Sequence, residues 1–118
     1  MTAPGFGLDG KRILQEKTVA LMTKNRLPAE AMPIRIASIR FPEGFGFGLG
    51  FYVRVAADKM EPGSRVGEYG WGGAAGTAFW VSPKDDLFVI VLQQFMPHDP
   101  LEATLKPLIY AAVQEPKK

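Results

Sequence analysis

EYGWGGAAGTAFWVSPKDDLFVIVLQQ, residues 68 to 94, carries the pattern of a β-hairpin. Ala75 to Val81 is a short run of small and aromatic residues, and Leu87 to Leu92 is an unbroken apolar run of strand length. Between them, Ser82-Pro83-Lys84-Asp85-Asp86 predicts a tight turn. Pro83 presets φ for its first central position, and the flanking Ser and Asp suit its corners. Because Leu87–Leu92 does not alternate, the pattern predicts that both its faces are covered and that it lies centrally in a sheet. Just upstream, residues 70–76 hold four glycines and two alanines around Trp71, a composition that lets another chain or molecule approach the backbone closely.

Working outward, Gly44 to Val55 has a period of two. Phe45, Phe47, Leu49, Phe51, Val53 and Val55 would share one buried strand face, with Gly44, Gly46, Gly48, Gly50, Tyr52 and Arg54 on the other, where the glycines would let a neighbouring element sit almost on the backbone. Its aromatic face reads as core, since the spacing is that of strand burial. Residues 56–63 predict a turn, after which Ser64–Tyr69 would pair back. Counting the two hairpin strands, about four strands follow one another with short connections, which favours an antiparallel meander.

Helices are expected at both ends. Leu14, Thr18, Leu21 and Met22 fall near one helical face, and Asn25 and Pro28 end that helix. Three prolines between Leu27 and Pro42 predict extended loop, with Ile34–Ala37 a small edge strand at most. Asp99 as N-cap, Pro100 and Glu102 open a second helix whose apolar face would comprise Leu101, Leu105, Leu108, Ile109, Ala112 and Val113. Pro107 inside that stretch predicts a kink or a restart near residues 103–106. Residues 1–10 and 115–118 read as flexible ends. The whole is an α+β fold, a single domain over residues 1–118 with a helix at each end of the sheet's sequence.

Composition narrows the function. At 118 residues the chain can bury a moderate core. Its formal charge of +2 and the lack of a basic stripe interleaved with aromatics make nucleic-acid binding a weak reading. With no cysteine and His98 as the one histidine, disulfides and the usual zinc sites are excluded, so no metal or cofactor is expected. No apolar run reaches membrane-spanning length and Met1–Pro4 opens no signal-peptide pattern, so no membrane contact is expected and a cytoplasmic protein is the default.

Gly70-Trp71-Gly72-Gly73-Ala74-Ala75-Gly76-Thr77, followed by an aromatic strand, an S-P-K-D-D turn and an apolar strand ending in Gln, resembles the third conserved box of serine β-lactamase-fold hydrolases. It is most similar to the class C-like esterases called family VIII carboxylesterases. In that superfamily the box is Lys-Thr-Gly in penicillin-recognising enzymes and Trp-Gly-Gly or His-x-Gly in esterase and peptidase relatives. The likeness extends to Leu8–Leu14, Thr18–Thr23 and Phe47–Phe51. The chain resembles the C-terminal third of such an enzyme, and residues 1–10 look like a cut end.

The family's nucleophile lies in a Ser-x-x-Lys motif, and a second box supplies a Tyr or Ser hydroxyl for proton relay. Neither motif occurs here: Ser38, Ser64 and Ser82 have no Lys three residues on, and Tyr52, Tyr69 and Tyr110 begin no Tyr-x-Asn. No catalytic residue is therefore assigned, and the chain alone is expected to be inactive. The resemblance makes the box part of a substrate-facing edge strand and assigns the substrate and oxyanion pocket to Trp71, Gly72, Gly73 and Ala74. The Ala74 N–H would face the oxyanion, and Trp71 would line the acyl or alcohol pocket. Trp71 stands where a Lys would hold a β-lactam carboxylate, which favours ester substrates. Spacing by itself favours a plainer account, a strand end or bulge with a packed Trp.

Other candidates read as structural. Tyr69 is an ordinary cross-strand aromatic, because no neighbouring cation in the sequence would lower its pKa. His98 is a loop residue, and Asp85 and Asp86 are turn formers that point apart. Two functions stand. One is the C-terminal part of a β-lactamase-family serine hydrolase acting on a small ester or amide once joined to its N-terminal portion. The other is a stand-alone α+β interaction or dimerisation module. In either case an open sheet edge and exposed apolar surface are expected, with self-association as one consequence.

Overall fold

The computed structural model describes residues 4–37, 39–57, 59, 61, 63–96 and 101–113, with backbone only at 39 and 40. His98, Asp99 and Pro100, and with them the expected N-cap, lie outside the described residues, as does the tail 115–118. Seven strands are described: β1 (Arg35–Ile36), β2 (Ile39–Arg40), β3 (Phe45–Phe47), β4 (Tyr52–Arg54), β5 (Tyr69–Gly72), β6 (Ala78–Ser82) and β7 (Leu87–Val91). Helices α1 (Glu16–Met22) and α2 (Leu101–Ala112) flank them, with single 3-10 turns at Ala29–Ala31 and Pro83–Asp85. β1 and β2 form a separate small ribbon, and β3 to β7 form one five-stranded antiparallel sheet in sequence order. The expected α+β meander is thus present.

It has one strand more than the alternation suggested, because Gly44–Val55 is a hairpin rather than a single strand. The chain reverses between Phe47 and Tyr52, pairing Phe45 with Arg54 and Phe47 with Tyr52. Directly paired residues share a face, so Tyr52 and Arg54 are buried with Phe45, while Leu49 and Val55 are exposed. The glycines in this hairpin do admit a neighbour. A Cβ at Gly46 would collide with the Asn25 side chain and one at Gly48 with the Met22 carbonyl. The end of α1 is sewn onto the hairpin there: Leu49 N–H donates to Met22 O (2.9 Å), and Phe47 N–H to Asn25 Oδ1 (3.0 Å).

The Ser82–Asp86 turn forms as expected. Ser82 pairs with Leu87 across its base, Pro83 opens the 3-10 turn, and Asp86 closes it in the left-handed region (φ 49°, ψ 43°). The strand it leads into is not central. Among the described residues, β7 pairs with β6 alone and forms the sheet's edge. Leu87, Val89 and Val91 face the core, while Phe88, Ile90 and Leu92 are 60%, 60% and 82% exposed. The unbroken apolar run reflects a strand with apolar residues on both faces, of which this chain covers one.

Trp80, with no exposed surface, centres the core with Phe45, Tyr52, Ala78, Val91 and Tyr110. α2 lays Leu101, Leu105 and Ile109 against this cluster. Leu108, expected on the same face, is exposed. Pro107 lies within one continuous helical element rather than at a restart.

Candidate functional site

The sequence 64–69 does not form the expected strand. Two residues, Gly67 and Glu68, instead face the single residue Arg54: Gly67 N–H donates to Arg54 O, and Arg54 N–H to Glu68 O, both at 2.8 Å. Gly67 takes φ 91°, a value open to glycine. This is a β-bulge, which re-aims the side chains that follow it. β5 then starts at Tyr69 and carries Trp71 and Gly72 itself.

β5 is interior to the sheet, not an edge strand, yet among the described residues its second half is paired on one side only. β4 reaches Tyr69 and Gly70, whereas Trp71 and Gly72 pair with Phe79 and Ala78 of β6 and overhang the β3–β4 hairpin. Gly73 closes the pairing by donating to Thr77 O (2.7 Å), and Gly76 N–H returns to Gly73 O (3.0 Å) with Gly76 at φ 85°. That is a three-residue hairpin loop: a turn over 73–76 whose last residue is left-handed, a position glycine fills without strain. Ala74 occupies the turn's first corner, is exposed, and its N–H donates to no acceptor among the described residues.

Trp71 is held by Phe47 edge-on (5.4 Å between ring centres) and by Phe41 in a stack (6.4 Å), and remains 39% exposed. Beside it runs an open groove of about 340 Å³ lined by residues 71–73, 77–79 and 90–92. The groove therefore joins the exposed backbone of the β5–β6 loop to the free edge of β7. Its walls are almost wholly apolar. The four residues singled out by sequence are contiguous here, with Trp71 and Gly72 on the strand, Gly73 at its end and Ala74 at the corner.

Tyr69 packs its ring against Phe51 (5.5 Å), as an ordinary aromatic of the sheet. Burial pushes its hydroxyl pKa up, so it is not poised as a base. Ser64 and Ser82 also have structural partners. Ser64 Oγ donates to Glu61 and Ser82 Oγ to Asp85. Among the described residues, no group of three or more His, Asp or Glu could hold a metal ion, and no helix is long and apolar enough to cross a membrane.

A buried polar cluster lies at the other end of β5, and the sequence reading missed it. Glu68, fully buried, receives Lys106 Nζ at 2.6 Å on Oε1 and the Tyr110 hydroxyl at 2.8 Å on Oε2. Lys106 also meets Glu102 at 3.1 Å and Glu61 at 3.4 Å, and Arg54 pairs with Glu61. Burial tends to lower the Lys106 pKa, but Glu102, Glu68 and Glu61 together outweigh it and hold it above the ordinary value. Lys106 further lies 4.8 Å from the centre of the Trp80 ring. One signal in the sequence did point here: at about 100° per residue Lys106 falls just beyond Ile109 at the border of the helix's apolar face, where a buried charge requires a partner.

Comparison with known proteins agrees with this architecture. A family model described as Beta-lactamase matches residues 6–114. Two Mycobacterium tuberculosis proteins, an uncharacterised protein of strain CDC 1551 and Protein Rv1367c of strain H37Rv, are each 33% identical over 93 residues. The match takes in 76% of this chain and 23% of theirs. Among solved structures, simvastatin synthase (LovD) from Aspergillus terreus superposes with a TM-score of 0.65 at 24% identity, covering 88% of this chain and 30% of that one. A LovD6 mutant of the same enzyme gives 0.64 at 25%, over 86% and 30%. The chain thus spans under a third of the length of the proteins it matches, and the fold is shared throughout that span. On the family match over nearly its whole length, the chain belongs to the beta-lactamase family.

Proposed function

We propose that this chain is the C-terminal part of a beta-lactamase-family serine hydrolase of the carboxylesterase type, which contributes the Trp71-Gly72-Gly73 box and half of the substrate cleft. The observation that carries the reading is the Ala74 N–H, exposed at a hairpin corner beside an apolar groove and without an acceptor among the described residues. A backbone donor left without an acceptor in that position suits an oxyanion developing on an ester or amide carbonyl. Trp71, half-exposed and braced by two phenylalanine rings, forms the wall against which an acyl or alcohol group packs. The nucleophile comes from elsewhere, since the sequence holds no Ser-x-x-Lys.

A second reading rests on a different observation, the free edge of β7 with Phe88, Ile90 and Leu92 exposed beside it. Used by itself, the chain would serve as an interaction module, pairing this edge with an N-terminal portion supplied separately or with a second copy.

The deciding experiment compares the chain alone with a chimera in which it replaces the matching C-terminal region of a complete family esterase. Hydrolysis of a short-chain p-nitrophenyl ester, with a serine-directed phosphonate as control, is the readout. Turnover by the folded chimera and none by the chain alone supports the proposal. A folded but inactive chimera overturns it in favour of the interaction module. Phosphonate-sensitive turnover by the chain alone would show that one of its own serines is a nucleophile.

A further inference from the structure

The box hangs from a weakly held strand. β5 has four residues, only Tyr69 and Gly70 pair with β4, and the segment that follows is glycine-rich. Ladder pairing therefore fixes the direction of Trp71 and Gly72 from the β6 side alone. What fixes the other end is the bulge at Gly67–Glu68, which turns the Glu68 carboxylate into the interior. There it accepts from donors on three different elements. Lys106 Nζ (2.6 Å) and the Tyr110 hydroxyl (2.8 Å) come from α2, the Arg65 N–H (3.1 Å) from the preceding turn, and the Tyr52 hydroxyl (3.4 Å) from β4.

We infer that Glu68 is a positioning residue for the Trp71–Ala74 box, through which α2 sets the placement of the strand that carries the box. The inference rests on the proposed role of that box, although its test does not. A carboxylate suits the position because both its oxygens only accept, and every group facing them donates. Glutamine has nearly the same shape but would aim an amide N–H₂ at either the Lys106 ammonium or the Tyr110 hydroxyl. Tyr52 adds a second link, since its backbone pairs with Gly70 while its hydroxyl meets both Glu68 and Glu102. The contacts thus run from the helix through one buried carboxylate to the residue immediately before the box strand.

The test is native-state hydrogen exchange on the 118-residue chain, comparing the wild type with E68Q and Y110F. The hydrogen-bonded backbone amides of the box segment, Gly73 and Gly76 among them, are expected to exchange about tenfold faster in E68Q and roughly threefold faster in Y110F, while hydrogen-bonded amides of Trp80–Val91 change less than about twofold. Should both sets accelerate together, Glu68 contributes only general stability and the inference fails. It fails equally if box amides keep their wild-type rates. Y110F removes a single hydroxyl and decides the matter if E68Q does not fold. Because exchange rather than turnover is read, failure here leaves the proposed hydrolase role to the chimera experiment.

Discussion

Lys106 Nζ lies 2.6 Å from Glu68 Oε1, with 1% of the lysine side chain and none of the glutamate exposed, so helix α2 and the start of β5 share a buried ion pair. Removing two charges from water costs several kcal/mol each, and here hydrogen bonds from Tyr110 and the Arg65 backbone offset part of that cost. The cost falls hardest on a variant that removes one partner. K106M leaves Glu68 buried without its cation, so its stability should drop by about 3–5 kcal/mol. E102Q removes one of the three carboxylates around Lys106 but leaves it Glu68 and Glu61 and keeps an acceptor oxygen at 102, so it should cost less, about 1 kcal/mol, the difference between a charged and a neutral hydrogen-bond partner. Urea unfolding midpoints of the two variants test this ranking; equal losses would mean that leaving Glu68 without its cation is no more demanding than removing one carboxylate of three.

The cluster also sets a direction for alkaline behaviour. Tyr52 is raised well above the ordinary tyrosine value by burial first and then by Glu102, Glu68 and Glu61. Tyr110 is raised by burial and by its hydrogen bond to Glu68, and Tyr69 by burial. Lys106 is likewise held above its ordinary 10.5 by its three carboxylates against the pull of burial. Groups that bind their protons more tightly when folded contribute stability that is complete below the unfolded pKa and is lost as pH rises toward the folded one. The window therefore opens near pH 10, the ordinary tyrosine value, and continues upward. Absorbance at 295 nm should show that Tyr52 and Tyr110 do not titrate near pH 10 while the chain is folded, whereas all three tyrosines do so in concentrated urea. Two or more tyrosines ionising near pH 10 in the native chain would refute the buried geometry.

The free edge of β7 carries its own consequence. Residues 87–94 contain no charge and no proline, the usual guards of an exposed strand. Association that grows with concentration is expected in gel filtration with light scattering. I90K adds a charge at a position that is already 60% exposed, so it should suppress association with a change in stability of about 0.5 kcal/mol or less. A wild-type chain that stays monomeric at high concentration would remove self-association from the proposal.

The sequence made the meander, the S-P-K-D-D turn and the seating of an element on the glycines of residues 44–50 legible, because each has a local signature. Two misreadings share one cause. The alternation across 44–55 is continuous in sequence, yet a reversal at residues 48–51 returns the same period on a second strand, and only the pairing reveals it. Leu87–Leu92 reads as central because periodicity records which faces are apolar, not which faces this chain covers. For the candidate site, the order Trp71, Gly72, Gly73, Ala74 was readable. That Ala74 sits at a hairpin corner depends on Gly76 adopting a left-handed φ three residues after Gly73. Glu68 and Lys106 are 38 residues apart, and no local pattern joins them.

The hairpin corner permits a selective test of the oxyanion role. Proline is favoured at the first central position of such a turn, and the preceding Gly73 tolerates the extended backbone that proline imposes. A74P should therefore keep the loop while deleting the one N–H assigned to the oxyanion. Its unfolding midpoint should match the wild type. In the active chimera, A74P should lower kcat by about 10²–10³-fold with little change in KM, the loss seen when one oxyanion donor is removed. A74G, which restores the N–H but not the side chain, should recover most of that activity. If A74P folds and retains full kcat, the carbonyl oxygen is stabilised by another group and the assignment of Ala74 is wrong. If KM rises instead while kcat holds, the loop touches substrate without meeting the developing charge, and the box is a binding wall rather than an oxyanion site.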